Sequence, residues 1–136
     1  MNTLEESNLL QLDWEKLDQL AGKGMSVLPV AVQDVDTKEV ILIAYANREA
    51  LEASLQTRMA TFWSTSRNEL WVKGETSGDS FELVEIYVNC EQNSLLFRVR
   101  PRRGGICHTK NQQGRARNCF YRRLNLDTLQ LEHIDP

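Results

Sequence analysis

Three cysteines in the C-terminal half of the chain are the residues whose type and position could bind a metal ion. Cys90 ends an apolar run typical of a strand, Cys107 lies in a polar stretch, and Cys119 begins another strand-like run. Structural zinc sites commonly use four ligands in two close Cys-x-x-Cys pairs, whereas three dispersed thiolates leave the fourth tetrahedral position to water. A catalytic zinc requires such an open site, because zinc lowers the pKa of a bound water towards about 7. The alternative is three unrelated cysteines buried as small hydrophobic residues.

His108 directly follows Cys107 and is a second candidate for chemistry near neutral pH. An imidazole titrates close to neutrality, so it could carry protons to or from a metal-bound water. A histidine beside a cysteine in a polar loop can equally be a surface residue or a metal ligand. The residue types alone leave these readings open.

A group of polar residues surrounds two glycines in the sequence SRNELWVKGETSG, residues 66–78. Backbone N–H groups of a glycine turn, hydroxyl groups and a lysine are usual parts of a phosphate-binding site, and the indole either stacks on a base or packs in the core. The segment matches neither a Walker loop nor the dinucleotide-binding fingerprint. The candidate substrate-binding residues are Arg67, Trp71, Lys73, Gly74, Glu75, Thr76 and Ser77.

Positive charge is concentrated in one part of the chain. Between Arg98 and Arg123 there are nine Lys or Arg residues and no Asp or Glu, although the formal net charge of the chain is −3. Such a cluster either binds phosphate or nucleic acid or forms a solvated basic face. An acidic protein of this size differs from a dedicated nucleic-acid binder, so a small anionic ligand fits better.

The size and composition of the chain predict one domain with its own hydrophobic core. It has 136 residues, of which 41% are hydrophobic, and a chain of this length does not need disulfides to fold. Three cysteines cannot all pair within the chain, which favours reduced thiols. No apolar run approaches the roughly 18 residues of a membrane span, and the acidic N-terminus differs from a signal peptide. We therefore expect a cytoplasmic protein without membrane association and a single domain over residues 1–136, in which residues 1–24 form an N-terminal helical extension.

The hydrophobic pattern predicts an α+β fold with predominantly antiparallel strands and two short helices. The first helix lies in LDWEKLDQLAGKG, with Asp13 as its N-cap and a hydrophobic staple between Leu12 and Leu17. The second runs from about Arg48 to Gln56, with Asn47 as its N-cap and with one apolar side formed by Ala50, Leu51 and Leu55.

Four pairs of strand-like runs predict four hairpins, and a long loop separates the last two. The pairs are VLPVAVQ with EVILIAYA, ATFWST with LWVKG, FELVEIYVNC with SLLFRVRP, and CFYRRLNLD with TLQLEHI. The Asp and Thr residues of DVDTK are suited to the first turn, and DT lies at the last turn. The polar, aperiodic segment 102–118 is the kind of long loop that is usually functional or disordered.

Four motifs occur in the same order as in the phosphoribosyl-AMP cyclohydrolase family, and together they resemble that family. They are QDVDTKEVILIAYAN, ATFWSTSRNELWVKGETSG, CHT and NCFYR, and the similarity runs from about Val27 to Arg122. The family opens the adenine ring of 1-(5-phosphoribosyl)-AMP in histidine biosynthesis. The resemblance implies an intertwined homodimer with zinc bound by three cysteines shared between the partners, which are here Cys90, Cys107 and Cys119.

The resemblance also implies a reaction and a role for the basic residues. Zinc-activated water attacks C6 of the purine, the N1–C6 bond breaks, and His108 assists proton transfer. The substrate is a small phosphorylated purine with two phosphates, which gives the basic segment and the glycine turn a common purpose without nucleic acid.

Two features depart from the family pattern. The family usually has a magnesium site on an Asp-Cys-Asp-x-Asp run, but the corresponding residues here are Asn89, Cys90, Glu91, Gln92 and Asn93. Because Mg²⁺ prefers anionic oxygen ligands, we expect the magnesium site at Asn89, Glu91 and Asn93 to be weakened or lost. The loop between Cys107 and Cys119 has eleven residues, more than is usual in the family, and loop length costs little once the loop is closed.

Two other functions remain as alternatives at this point. One is a paralogue with the same fold and zinc site that acts on another phosphorylated purine or has no catalytic activity. The other is general nucleic-acid binding by the basic loop, which would be sensitive to salt.

Overall fold

The computed structural model describes residues 3–75, 78–102, 106–107 and 109–136. Thr76, Ser77 and His108, which the sequence places in the candidate site, lie outside the described residues. The helices and strands follow one another in this order along the chain: α1 (Thr3–Glu6), α2 (Lys16–Gly22), β1 (Leu28–Asp34), β2 (Val40–Ala46), α3 (Arg48–Thr57), β3 (Thr61–Ser64), β4 (Glu69–Val72), β5 (Phe81–Val88), β6 (Leu95–Pro101), β7 (Arg122–Leu124) and β8 (Leu131–His133).

Within the described part of the chain, the main sheet has four strands in the order β2-β1-β6-β5, and β3–β4 and β7–β8 form separate hairpins. The pairs β1–β2 and β5–β6 are antiparallel, as are the two small hairpins. The predicted α+β fold with mostly antiparallel strands and four hairpins is therefore confirmed. The sequence pattern did not predict the parallel pairing of β1 with β6, because it joins two hairpins that are distant in the chain.

The core lies on one face of the main sheet and reaches the β3–β4 hairpin. Burial alternates along the central strands, so that Val30 and Val32 of β1 and Phe97 and Val99 of β6 are fully enclosed. The alternation follows from the two-residue period of a strand. Burying one such side chain stabilises the fold by about 1.5–3 kcal/mol. Phe62 of β3 stacks on Phe97, with ring centroids 5.8 Å apart, and this contact joins the hairpin to the sheet.

Helix α3 begins at the predicted residue, but Ser54 rather than Leu55 is buried against the rest of the fold. The side chain of Asn47 accepts a hydrogen bond from the Ala50 N–H at 2.8 Å, which caps the first turn. Ala50 and Ser54 are the buried residues, whereas Leu55 is 46% exposed, so the predicted packing of Leu55 is wrong. Residues four apart share a helix face, while Leu55 is rotated by about 100° from Ser54. Ser54 also accepts a hydrogen bond from the Thr61 N–H at 2.9 Å, which ties α3 to β3.

The N-terminal region differs from the prediction. The carboxylate of Asp13 accepts a hydrogen bond from the Glu15 N–H, so it stabilises a turn that precedes the helix. Helix α2 therefore begins only at Lys16, and Glu15 occupies the N-cap position. Leu12 and Leu17 are 59% and 67% exposed, which does not fit a hydrophobic staple. The short helix α1 was not predicted. None of the helices that the described residues form is long and apolar enough to span a bilayer.

Side-chain hydrogen bonds hold the turns of the first and last hairpins. Asp34 accepts from the backbone N–H groups of Asp36 and Thr37, as the sequence predicts. In the last hairpin Asn125 takes this role, accepting from the N–H groups of Asp127 and Thr128 at 2.9 and 3.0 Å. The turn is therefore at the predicted place, although an asparagine before it makes the bonds.

Candidate active site

A cleft of about 510 Å³ lies between β2, β4 with the turn after it, and the loop that carries Cys107. This volume is within the usual range of small-molecule sites, about 300–1,000 Å³. The structure brings two of the predicted cysteines and five of the predicted substrate-binding residues to one cleft. Its walls are formed by Leu42, Ile43, Arg67, Glu69, Leu70, Trp71, Val72, Lys73, Gly74, Glu75, Asp79, Ile106, Cys107, Lys110 and Cys119.

The glycine turn after β4 has a conformation that requires glycine. Gly74 has φ of 81°, and a Cβ at this position would lie 2.3 Å from the carbonyl carbon of Asp79 and from the N atom of Ser80. The Gly78 N–H donates to the Gly74 carbonyl at 2.8 Å. This close approach brings the Asp79 backbone beside Lys73, whose Nζ donates to the Asp79 carbonyl at 2.8 Å. The turn thereby orients the lysine.

Lys73 is a buried cation in the wall of the cleft, with 7% of its surface exposed. Its Nζ lies 4.8 Å from the centroid of the Phe81 ring, a favourable cation–π distance. Burial lowers the pKa of Lys73, while the nearby Asp79 and Cys107 act in the opposite direction. Because burial of an ammonium is costly, an anionic ligand in the cleft would be stabilised beside it.

Trp71 and Arg67 occupy different depths of the same wall. The ring centroid of Trp71 is 5.5 Å from that of Phe62, and Trp71 packs against the edge of the core while it also lines the cleft. Core packing and ligand contact are therefore compatible for this residue. Arg67 is exposed at the rim, where its guanidinium is 3.4 Å from the Glu69 carboxylate and its Nε donates to Ser64 Oγ at 3.3 Å.

Cys107 and Cys119 lie side by side in the cleft. The hydrogen-bonding contact with the Cys107 sulfur raises the pKa of the Cys119 thiol, although Cys119 is exposed to the cleft. Backbone hydrogen bonds hold both residues, because the Cys107 N–H donates to Arg117 at 3.0 Å and the Cys119 N–H donates to Ile41 at 3.1 Å. Two adjacent sulfurs are a donor pair that suits Zn²⁺.

Cys90 lies elsewhere in the chain, exposed at the turn between β5 and β6. The described residues of one chain contain no group of three or more His, Cys, Asp or Glu side chains that could hold a metal. One chain thus brings together two of the three predicted ligands. Cys90 stays a predicted ligand that a second copy of the chain would have to supply.

The predicted magnesium position is occupied by hydrogen bonds among its own side chains. Asn89 Nδ2 donates to Asn93 Oδ1 at 2.6 Å, and Asn89 Oδ1 accepts from the N–H groups of Asn93 and Ser94 at 2.9 Å each. Asn93 Nδ2 lies 3.4 Å from the Glu91 carboxylate. Magnesium prefers several anionic oxygen ligands, so this set of two amides and one carboxylate fits it poorly.

Sequence reasoning missed some residues of the cleft. Lys110 is one of them, and its place in the basic segment three residues after Cys107 was a usable signal. The apolar wall formed by Leu42 and Ile43 gave no such signal, because strand alternation does not show which neighbouring element a face will meet.

Comparison with known proteins places the chain among hydrolases. The family model of phosphoribosyl-AMP cyclohydrolase matches residues 42–121. The chain is 48% identical over 109 residues to the phosphoribosyl-AMP cyclohydrolase of Archaeoglobus fulgidus, covering 80% of this chain and 94% of the relative. It is 42% identical over 119 residues to the enzyme of the same name from Cenarchaeum symbiosum, covering 88% and 98%. The chain therefore belongs to the phosphoribosyl-AMP cyclohydrolase family.

A further relative is the histidine biosynthesis bifunctional protein HisIE of Thermus thermophilus, which is 50% identical over 102 residues. The match covers 75% of this chain but 44% of that protein, so the chain spans less than half of the bifunctional relative. The predictions that the chain belongs to this family and that it is a hydrolase are therefore confirmed. Helices α1 and α2 precede the residues that the family model matches.

Proposed function

We propose that this protein is a cytoplasmic, zinc-dependent phosphoribosyl-AMP cyclohydrolase of histidine biosynthesis, which opens the adenine ring of 1-(5-phosphoribosyl)-AMP between N1 and C6. The observation that supports this most strongly is the cleft itself. Its adjacent thiols, buried lysine and glycine turn all fall within the residues matched by the family model. The cleft offers an indole surface for the purine, cations for its two phosphates and thiols for a metal ion that activates water.

The cations of the cleft bind the phosphates in this proposal. Lys73 and Lys110 line the cleft near the cysteines, and Arg67 lies at its rim. A phosphate beside Lys73 would offset the cost of keeping the ammonium buried. The indole of Trp71 offers an apolar surface for the purine. Because Gly74 carries no side chain, the Asp79 backbone packs closely against the turn and its carbonyl holds the Lys73 ammonium.

Cys107 and Cys119 hold the zinc together with Cys90 from a second copy of the chain. When bound there, zinc supplies a Lewis acid that lowers the pKa of water and so provides a nucleophile at neutral pH. Three sulfur ligands leave one position open for chemistry. The two sulfurs brought together in one chain already form most of this ligand set.

His108 moves the protons of the reaction. It accepts a proton as the water oxygen bonds to C6, and it returns a proton towards N1 as the N1–C6 bond breaks. The carbon that was C6 becomes the carbonyl carbon of a carboxamide. N1, released from C6, keeps its phosphoribosyl group in the product. The position of His108 next to Cys107 in the sequence supports this role.

The proposal includes a homodimer. Three large apolar side chains are exposed on β5, an edge strand of the main sheet: Val84, Tyr87 and Val88, which are 41–55% exposed. Exposed apolar side chains on an edge strand are typical of an interaction surface, and symmetric dimers are the commonest assemblies. Cys90 lies two residues after the end of β5, so a partner that covers this strand would come close to Cys90. A monomer in sedimentation analysis at micromolar concentration would contradict the dimer.

An anaerobic assay of the purified protein with 1-(5-phosphoribosyl)-AMP and zinc tests the activity. We expect ring opening that disappears on chelation and returns with zinc, and complementation of a histidine auxotroph that lacks the cyclohydrolase. The surface variant Glu132→Gln serves as a control, because the Glu132 carboxylate is exposed and lies 3.6 Å from the exposed guanidinium of Arg123. A protein that binds zinc but leaves this substrate intact would instead favour a paralogue with another phosphorylated purine as its substrate.

A further inference from the structure

Arg117 is a buried cation within the loop between the two cleft cysteines. Its side chain is 1% exposed, and its NH2 atom lies 2.5 Å from the Glu6 carboxylate. Its Nε donates to Thr109 Oγ1 at 3.1 Å, and its NH1 donates to the Asp135 carbonyl at 3.0 Å. The guanidinium also lies 3.6 Å from the centroid of the Tyr121 ring. Arginine presents its donors in a rigid planar fork, so these partners define the position of Thr109 closely.

Thr109 connects this arginine to the cysteine. Its hydroxyl oxygen accepts the hydrogen bond from Arg117 Nε, so its single proton is free to point towards another acceptor. That acceptor is Cys107 Sγ, 3.2 Å away. A hydrogen bond donated to the sulfur fixes the orientation of the cysteine side chain. The backbone supports the same arrangement, because the Cys107 N–H donates to the Arg117 carbonyl at 3.0 Å.

The N-terminal segment, residues 3–8, supplies the other end of this chain of contacts. It is anchored by several hydrogen bonds to the region around β7 and β8, which keep Glu6 beside Arg117. These bonds run from Tyr121 OH to the Glu5 carbonyl at 2.6 Å, from Arg122 to the Leu4 and Ser7 carbonyls at 2.8 and 2.9 Å, and from the Leu131 N–H to the Asn8 carbonyl at 2.9 Å.

We infer that Glu6, Arg117 and Thr109 are positioning residues that hold Cys107 in the geometry needed to bind the metal, and that the N-terminal segment is therefore part of the support of the metal site. This inference rests on the proposed function, in which Cys107 is a zinc ligand. The series is continuous from Glu6 to the Cys107 sulfur, and it begins outside the residues matched by the family model. Partners of metal ligands are known to orient the ligand and tune its basicity.

The test measures zinc affinity of the full chain by competition with a chromophoric chelator, and the absorption of the Co²⁺-loaded protein. The variants are Thr109→Val, which has nearly the same shape but lacks the hydroxyl, and Thr109→Ser, which keeps it. Glu6→Gln removes the charge that faces Arg117, and Glu132→Gln is the matched control in an exposed ion pair. Circular dichroism confirms that each variant is folded.

We expect Thr109→Val to bind zinc about 10–100-fold more weakly, as is typical for loss of an outer partner of a ligand. Glu6→Gln should weaken binding by a smaller factor, while Thr109→Ser and Glu132→Gln should match the wild type. The sulfur-to-cobalt absorption band should shift in Thr109→Val, because the sulfur loses its donor. A change of overall stability alone would not produce this shift.

Wild-type zinc affinity and an unshifted cobalt band in both Thr109→Val and Glu6→Gln would overturn the inference. If Thr109→Val does not fold, Glu6→Gln decides, because its side chain is partly exposed and glutamine has nearly the same size. Cys107→Ser distinguishes failure of this inference from failure of the proposed function. Zinc binding as tight in Cys107→Ser as in the wild type would overturn the metal role in the proposed function, and this inference with it.

Discussion

Two cysteine-bearing segments of this protein hold their polar groups in opposite ways. In the cysteine loop, residues 106–119, distant parts of the chain add partners to those within the loop: Arg117 is bound by Glu6 and by the Asp135 carbonyl as well as by Thr109. In the amide turn, residues 89–94, the side chains of Asn89 and Asn93 bond to each other and to the backbone of the same turn. The first segment depends on the tertiary structure, whereas the second is stabilised locally. Changes far away in sequence should therefore affect the cysteine loop and leave the amide turn intact.

The largest effect is expected from Cys107→Ser. Loss of a metal ligand should lower ring-opening activity by more than about 100-fold, since loss of an outer partner alone typically costs about 10–100-fold. Steady-state assays with saturating zinc measure this, with the zinc content of the purified variant determined in parallel. Activity within a few-fold of the wild type would remove Cys107 from the site and weaken the contrast between the two segments.

The next effect concerns the glycine turn that faces the cysteine loop. Gly74→Ala places a Cβ 2.3 Å from the Asp79 backbone, so the turn must shift, at a cost of about 1–3 kcal/mol of unfolding free energy. The Michaelis constant should also rise, because Lys73 is oriented by Asp79. Urea denaturation and steady-state kinetics measure the two effects.

Gly114→Ala is the matched control for Gly74→Ala. Gly114 also has a positive φ, of 77°, but nothing lies within 4 Å of a Cβ built there. Both variants carry the strain of a positive φ, and only Gly74→Ala carries the clash. Equal losses of stability in the two variants would show that the close approach to Asp79 contributes little.

Lys73→Met should weaken substrate binding by about 10-fold or more, the usual loss for a hydrogen bond to a charged group.

The buried Lys73 should also make the stability of the wild type depend on pH. Burial lowers the pKa of Lys73, so between this lowered pKa and the unfolded value of about 10.4 the unfolded chain binds more protons. Stability of the wild type should thus rise with pH relative to Lys73→Met over this range. If the wild type and Lys73→Met gave parallel curves of unfolding free energy against pH, the lowered pKa of the buried Lys73 would be contradicted.

A smaller effect is expected in the amide turn. Asn89→Asp combined with Asn93→Asp replaces a hydrogen bond with two facing carboxylates. Without divalent ions the melting temperature should fall by a few degrees, and magnesium should restore it, because the new carboxylates suit that ion. The wild type should respond little to magnesium. The readout is thermal melting in EDTA and in Mg²⁺.

Asn125→Asp is the control for the amide turn, since Asn125 also accepts two backbone N–H groups in a hairpin turn. It should not acquire a response to magnesium. If the wild-type protein already binds magnesium as tightly as the double variant, then our view of residues 89–93 as a position that fits magnesium poorly is wrong.

The smallest effect is expected from Asp36→Asn. The hydrogen bond and charge of Arg100 lower the pKa of Asp36, but both side chains lie at the surface, 49% and 61% exposed. Such pairs contribute little. A carboxyl with a lowered pKa contributes its full stabilisation above the unfolded pKa of about 3.9, and this contribution is lost as the pH falls through the lower folded pKa. The melting temperatures of variant and wild type should nearly coincide at pH 7, and any difference should shrink below about pH 3.9 and vanish below the folded pKa.

Local patterns in the sequence predicted much of the fold. The hairpins were predictable because strand alternation and turn residues act over a few positions, and Asn47 and Asp34 perform their predicted bonds. The same reasoning failed at Asp13 and Leu55, where a turn and a neighbouring strand changed the outcome. The motif around Gly74 and the cysteines also indicates the family from sequence alone, because chemistry of this kind requires particular residue types.

The sequence by itself determined the residue types of the site, the hairpins and the family. Only the tertiary structure decided that Cys107 and Cys119 meet in one cleft with Lys73, that Cys90 lies apart from them, and that Arg117 joins Glu6 to the cysteine loop. The physical reason is distance along the chain. Hydrogen-bonding preferences of neighbouring residues act locally and leave a pattern in the sequence. The ion pair between the buried Arg117 and the partly exposed Glu6 is created by packing of the whole chain and leaves no such pattern.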